Sequence, residues 1–436
     1  MTRRPIVFRR VLLAVLGLLV LGVAGLFAIA WRPAIAPIDP PAPGAFAADR
    51  IARGEVLAGA GYCATCHTVP GGVRYAGGYA MRTAFGTIHS TNITPDPQTG
   101  IGRWSEAAFV RAMRSGVARD GSHLFPAFPF DHFTRITDQD LGDLYAYLMS
   151  REPSAAAPKP NTVPFPLNVR ALQAGWKLLF LRQGPFTPDR TRDEAWNRGA
   201  YLAEGVSHCG ACHTPRNAVG AERRDAAYAG ALIDGWQAPA LTDANPAPLA
   251  WTEEALYAYL RSGATAEHGS AVGSMAEVVH GLSKLPDADI RALAVYFADV
   301  GRAAARSGDE RTVLAGALAA SGEGTRQETD RGAGLYLAAC AACHYNRAPA
   351  PLLARPELAL NSALVGDDPT NLIRVVLHGV GTDDGIPGAM MPPFAHLGDA
   401  EIASLAAYLR RTRTGRAPWP DLEAKVAEVR RLDTGT

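Results

Sequence analysis

The chain has 436 residues, enough for about three domains of roughly 150 residues each, and 48% of its side chains are hydrophobic against 19% charged. That balance excludes a disordered, highly charged chain. With 43 basic and 42 acidic residues the net charge is +1, which excludes the basic stripe needed to track a nucleic-acid backbone.

Residues 1–10 carry Arg3, Arg4, Arg9 and Arg10, and an uncharged apolar run follows from Val11 to Trp31. About 20 residues rising about 1.5 Å each span the roughly 30 Å hydrocarbon core of a bilayer. Ala28-Ile-Ala30 has the small-x-small form of a signal cleavage site, but the run exceeds the about 7–15 residues of a signal's apolar core. It therefore reads as an uncleaved transmembrane anchor over 11–31. Arginines ahead of the run place residues 1–10 in the cytoplasm and export the rest of the chain. The proline-rich stretch 32–47 predicts an extended tether that stands the domains off the membrane.

Beyond the tether one pattern occurs three times. An Arg-Gly pair (Arg53-Gly54, Arg198-Gly199, Arg331-Gly332) precedes each pair of cysteines by a short predicted helix. In the first two copies Trp104-Ser105-Glu106 and Trp251-Thr252-Glu253 predict hydroxyl-capped helices ending at Arg-Ser-Gly. A last helix closes each copy: Leu141, Leu144, Tyr145 and Leu148 have the helical period, as do Ile290, Leu293, Ala294 and Phe297, and Ile402, Leu405, Ala406 and Leu409. Thr137, Asp287 and Asp399 stand where N-caps belong, and Tyr147, Tyr296 and Tyr408 read as core. The fold class is mostly α, with three tandem domains at 48–152, 193–303 and 330–415. Linkers are expected at 153–192 and 304–329. The apolar Gly175–Phe180 stretch should pack on a domain, and the tail 416–436 has no predicted role.

All six cysteines belong to C-x-x-C-H motifs: Cys63, Cys66 and His67; Cys209, Cys212 and His213; Cys340, Cys343 and His344. Thiols one helical turn apart can form two thioether bonds to one haem while the adjacent imidazole binds its iron, the attachment chemistry of haem c. Zinc needs four ligands close together, yet the pairs begin 146 and 131 residues apart. Thioredoxin-type dithiol chemistry comes with a βαβ pattern, absent here. The sequence therefore predicts three covalently bound haem groups, one per domain.

A sixth iron ligand, commonly methionine, raises the reduction potential because thioether sulfur favours Fe(II). Met275 follows the second motif; of Met390 and Met391 after the third, Met391 directly precedes two prolines and is the better candidate. The matching place after the first motif is Phe128, which cannot ligate iron, and Met113 and His132 stand as equal alternatives, with His123 also near that loop. His89, His208, His268, His280, His378 and His396 read as surface or packing residues.

The strings Gly86–Asp96, Gly100–Trp104 and His123-Leu-Phe-Pro-Ala-Phe-Pro129, with Trp196–Leu202, His208–Asn217 and Gly235-Trp236, resemble the tri-haem cytochrome c subunits of bacterial membrane-bound dehydrogenases. The resemblance runs from about Asp49 to Thr414. It implies that electrons arrive from a separate catalytic dehydrogenase subunit and leave to ubiquinone or a terminal oxidase, with no substrate-oxidising site in this chain. It also matches the nine motif residues to haem-binding positions and Met275 and Met391 to axial ligands. Alcohol dehydrogenase members have methionine where Phe128 stands. The Pro-Ala-Phe-Pro loop is similar to the branch that accompanies molybdenum hydroxylases of aldehydes or N-heteroaromatics. A flavin or quinoprotein alcohol or gluconate dehydrogenase is the alternative partner. A haem peroxidase using an open position in the first domain is the alternative of a different class.

Overall fold

A computed structural model describes residues 4–306, 310–323, 330–345, 350–381 and 390–434. Parts of the expected segments 1–10, 304–329, 330–415 and 416–436 lie outside the described residues. The described chain forms two compact units. The first holds the residues up to Ala58 and from Cys63 to Phe186; the second holds Gly59–Tyr62 and the residues from Thr187 onward.

The first unit begins with α1 (Arg4–Ala30). Its Phe8–Ala30 portion is long and apolar enough to cross a membrane, with mean hydropathy 2.8. Next come α2 (Ala48–Ala60), α3 (Cys63–Cys66) and a hairpin of β1 (Ala80–Thr83) and β2 (Gly86–His89). The remaining helices are α4 (Glu106–Ser115), α5 (Phe130–Phe133), α6 (Asp138–Met149) and α7 (Leu172–Phe180).

The proline-rich stretch after α1 is extended, as its prolines dictate, but it is pinned to the unit rather than free. The Ile35 and Ile38 amides donate to the Arg119 and Arg103 carbonyls, and Arg111 donates to the Pro33 carbonyl. The Ala30 carbonyl at the end of α1 accepts from His123 Nε2 at 2.8 Å, and Lys177 on α7 donates to His123 Nδ1 at 2.9 Å. A carbonyl only accepts, so Nε2 carries the imidazole proton and His123 is neutral. Burial pushes Lys177 down to about 7, with Arg32 adding repulsion. Trp176 meets Phe130 edge-on at 5.9 Å, so α7 packs on the first unit, as its apolar sequence predicts.

The second unit contains two copies. The first comprises α8 (Glu194–Tyr201), continued by a π-helical turn (Leu202–Val206), then α9 (Gly210–His213) and a hairpin of β3 (Ala231–Ile233) and β4 (Trp236–Ala238). After α10 (Glu253–Ser262) come the short paired strands β5 (Ala264–Thr265) and β6 (Gly269–Ser270), then α11 (Ser274–Leu282) and α12 (Asp287–Val300). Two helices, α13 (Ala303–Arg306) and α14 (Glu310–Glu323), follow where a linker was expected. The next copy has α15 (Arg331–Ala339), α16 (Ala341–His344), α17 (Ser362–Val365), α18 (Thr370–His378) and α19 (Asp399–Thr414).

The polar tail is also structured, as α20 (Leu422–Thr434). It buries Leu422, Val426 and Val429 in the core formed by α15, α18 and α19, while Arg410 lies over the buried Trp419 ring at 4.0 Å. Thr137 caps α6 as predicted, accepting from the Asp140 amide. Asp287 and Asp399 are instead the first residues of their helices, whose caps are Pro286 and Gly398.

The repeated Arg-Gly pair has a packing reason. A Cβ on Gly54 would lie 2.0 Å from the Asp143 carbonyl oxygen and 2.6 Å from Tyr147 Cβ. On Gly199 it would lie 2.0 Å from the Ala292 carbonyl oxygen and 2.8 Å from Tyr296 Cβ, and on Gly332 2.3 Å from the Ser404 carbonyl oxygen and 2.6 Å from Tyr408 Cβ. In every copy, glycine thus lets the first helix touch the backbone of the last. The preceding arginine closes the crossing with an ion pair: Arg53 to Asp143, Arg198 to Asp289 and Arg331 to Glu401. Replacing Gly199 with Ala should force these helices apart and cost about 1–3 kcal/mol, the usual penalty for overpacking. Thermal unfolding followed by circular dichroism should show a lowered Tm; an unchanged Tm would mean the crossing tolerates a methyl group.

Candidate functional site

Each motif histidine is held at the end of a short helix that begins at or beside the first cysteine. His67 Nδ1 lies 2.7 Å from the Thr91 carbonyl oxygen and His213 Nδ1 lies 2.8 Å from that of Pro239. Because the carbonyl accepts, Nδ1 must carry the proton, which leaves the Nε2 lone pair of a neutral imidazole free for a metal. Such outer hydrogen bonds fix the orientation and basicity of metal-binding histidines. Burial lowers the pKa of His67, His213 and His344, with the carbonyls of Thr91, Pro239 and Pro356 opposing it. His344 Nδ1 is buried without a geometrically sound hydrogen bond, so Pro356 acts on it as a nearby dipole.

No disulfide joins any two of the six cysteines. Burial, and then the neighbouring thiol, pushes Cys63 and Cys209 up to about 12 and Cys340 up to about 11. Reactive dithiols have depressed values, so these cysteines lack the electrostatics of a redox or nucleophilic pair.

In the second unit the two motifs open into one cavity of about 800 Å³. Cys209, Cys212 and His213 line one part and Cys340, Cys343 and His344 another; Met275 and Met391 both face the same space. Its walls are largely apolar, with Leu256, Leu260 and Phe297 from one copy and Leu372, Val376 and Leu409 from the next. Apolar walls, paired thiols, an oriented imidazole and a thioether fit a covalently attached haem.

Met275 lies in the first turn of α11 rather than in a loop. Met391 is fixed by reciprocal backbone hydrogen bonds with Val380, at 2.9 and 3.1 Å, whereas Met390 is 67% exposed. The wall between the copies is shared. Asn371 on α18 accepts from the Gln237 amide and donates to the Gln237 carbonyl, both at 2.8 Å. Arg374 lies over the Trp236 ring at 4.8 Å and pairs with Asp433 of α20 at 2.7 Å. His268 stacks on Trp251 at 3.8 Å, and His378 pairs with Asp433, so both serve packing as expected.

In the first unit Phe128 packs against Phe133 at 5.3 Å, ahead of α5. Helices α4 and α10 share a register set by their caps, Ser105 and Thr252, and by their closing residues, Gly116 and Gly263. Phe109 and Met113 therefore occupy the places of Leu256 and Leu260, two residues of the cavity wall. Counted on from the same closing glycines, Phe128 falls at the place of Met275, whereas the closing helices α6 and α12 are two residues further out of step, so the register does not place His132. Met113 is buried, at 5% exposure. Of the two candidates, only Met113 is placed by the shared register. The carbonyls that orient the histidines were missed, since a backbone acceptor leaves no mark in side-chain identity. The wall residues Asn371 and Arg374 were missed because their partners are distant in sequence.

The cytochrome c family profile matches residues 51–152 and 329–413, which implies covalently bound haem c. A nicotinate dehydrogenase subunit of Pseudomonas putida is 46% identical over 92% of this chain, although the chain spans only 34% of that relative's length. The fructose dehydrogenase cytochrome subunit of Gluconobacter japonicus is 39% identical over 85% of this chain and 80% of its own length. The gluconate 2-dehydrogenase cytochrome c subunit of Pantoea cypripedii is 38% identical over 88% of this chain and 90% of its own length. On the repeated helix crossings, the haem-fitting cavity and these likenesses, the chain belongs to the cytochrome c subunits of bacterial membrane-bound dehydrogenases.

Proposed function

We propose that this chain is a membrane-anchored tri-haem cytochrome c that takes electrons from a partner dehydrogenase and passes them to ubiquinone or another respiratory acceptor. The observation that carries the reading is the triple C-x-x-C-H pattern, each copy framed by the same glycine-mediated helix crossing. The cysteine pairs 63/66, 209/212 and 340/343 hold the haems, and His67, His213 and His344 bind their irons. Each haem supplies reversible one-electron exchange; the protein's part is to set its ligands, burial and spacing. The anchor is α1, with the haem domains in the periplasm. The common cavity, with its largely apolar walls, supports direct exchange between the second and third haems.

Met275 and Met391 complete the second and third irons. For the first, the α4 register supports Met113, which stands at the place of the wall residue Leu260, with His132 as the alternative. The favoured partner is a molybdenum hydroxylase acting on an N-heteroaromatic or aldehyde. Support comes from the 46% identity to a nicotinate dehydrogenase subunit and from Phe128 in the Pro-Ala-Phe-Pro loop.

A pyridine haemochrome assay on the purified chain should give three haems, and two after the double change Cys340→Ala and Cys343→Ala; three in the altered chain would remove that pair from haem attachment. The reduced protein should bind no carbon monoxide. Met113→Leu should open about a third of the haem to the gas, while His132→Val leaves it closed. Reversed results would transfer the ligand role to His132, and binding by the unaltered protein would favour the peroxidase reading. In the complex purified with its native partner, nicotinate or an aldehyde should reduce ferric haem within seconds, seen as the rise of the ferrous α band. Reduction by gluconate, fructose or ethanol instead would assign a different dehydrogenase.

A further inference from the structure

The segment between the first two copies has two faces with opposite fates. Toward the first unit, α7 buries Ala174 and Lys177, and Trp176 contacts Phe130. Its other face presents Leu178 and Leu179, which are 70% and 73% exposed, and the loop before it presents Phe165 at 80%. Leu167 and Val169 add to the same exposed stretch at 41% and 39%. This concentration of large apolar side chains is costly in water and marks a surface that something covers.

The occupant is indicated by what lies beside it. Helix α7 packs against α1, the apolar helix long enough to cross a membrane. His123 joins them at the point where α1 ends, bonding the Ala30 carbonyl on one side and Lys177 on the other. The extended stretch after α1 is bonded back onto the same unit, so no free spacer separates α7 from the end of the spanning helix. A body that covers Leu178 and Leu179 therefore shares the surroundings of α1. With nine residues, α7 rises only about 14 Å, too short to cross the hydrocarbon core. The stretch 153–188 contains no Asp or Glu but carries Lys159, Arg170 and Arg182, all exposed. Apolar side chains beside basic ones suit the boundary between acyl chains and anionic headgroups.

We propose that α7 and the loop over 165–169 form an interfacial seat that dips into the outer leaflet of the bilayer crossed by α1. The seat holds the first haem domain against the membrane surface in a fixed orientation. It rests on the reading of α1 as a membrane anchor, and the test separates the two claims. The holo full-length chain, carrying the photo-crosslinking residue benzoylphenylalanine at one position, is reconstituted in phosphatidylethanolamine and phosphatidylglycerol vesicles and irradiated. Substitution at Phe165, at Leu178 and, within α1, at Leu18 should each give lipid adducts, whereas Val73, an exposed position of the same unit, should give none. Adducts at Leu18 without any at Phe165 or Leu178 would overturn the seat and leave the anchor standing; adducts at none of the three would overturn both. Lipid at Val73 equal to that at Leu178 would reduce the signal to non-specific collision and overturn the seat. A protein adduct at Leu178 would also overturn it, by assigning the face to a dehydrogenase subunit or a second copy of this chain. The double change Leu178→Asn and Leu179→Asn should abolish most of the labelling from Phe165 while haem content, read from the Soret band, stays constant.

Discussion

Everything in the haem-binding region depends on two helices being able to touch at their backbones. At Gly54, Gly199 and Gly332 the first helix of a copy meets the last at a distance that no side chain would permit. The C-x-x-C-H segment follows that first helix in each copy. The contact also fixes the aromatic residue opposite: Tyr147, Tyr296 and Tyr408 are each at most 4% exposed and pack beside the glycine. The arginine before the glycine is a lesser partner, since exposed ion pairs contribute little. Arg53 is the exception in kind, because its partner Asp143 is buried and also receives Arg50.

The three sites are variations on that frame. In the second unit the copies share a wall through Asn371 and Gln237, and their motifs open into common space. The first copy keeps the register shared by α4 and α10 but fills the Met275 position with Phe128 and the Leu260 position with Met113. A thioether is thus present on the neighbouring helix where the loop has lost it.

Much of this was legible in the amino-acid order. The Arg-Gly pairs, the helical period of the closing helices and the Ser105 and Thr252 caps each have a local physical cause, and all three features stand in the structure. The hairpins were not legible because strands of two to four residues are too short to display alternation. Helix α20 was overlooked because Leu422, Val426 and Val429 follow the helical period within a strongly charged stretch, and their burial depends on a groove made by α18 and α19. Proline content correctly indicated an extended chain after α1, but the hydrogen bonds that pin it come from Arg111 and Arg119, some eighty positions away. Long-range partners of this kind are invisible to local pattern.

The shared wall between the second and third copies has an electrostatic consequence. Two charged centres separated by water are largely screened from one another, whereas centres in one low-dielectric space are not. A charge bound at His213 and its motif would therefore be screened less from His344 and its motif, across largely apolar side chains, than across bulk water. Charge placed at one site would in that way set part of the cost of placing charge at the other.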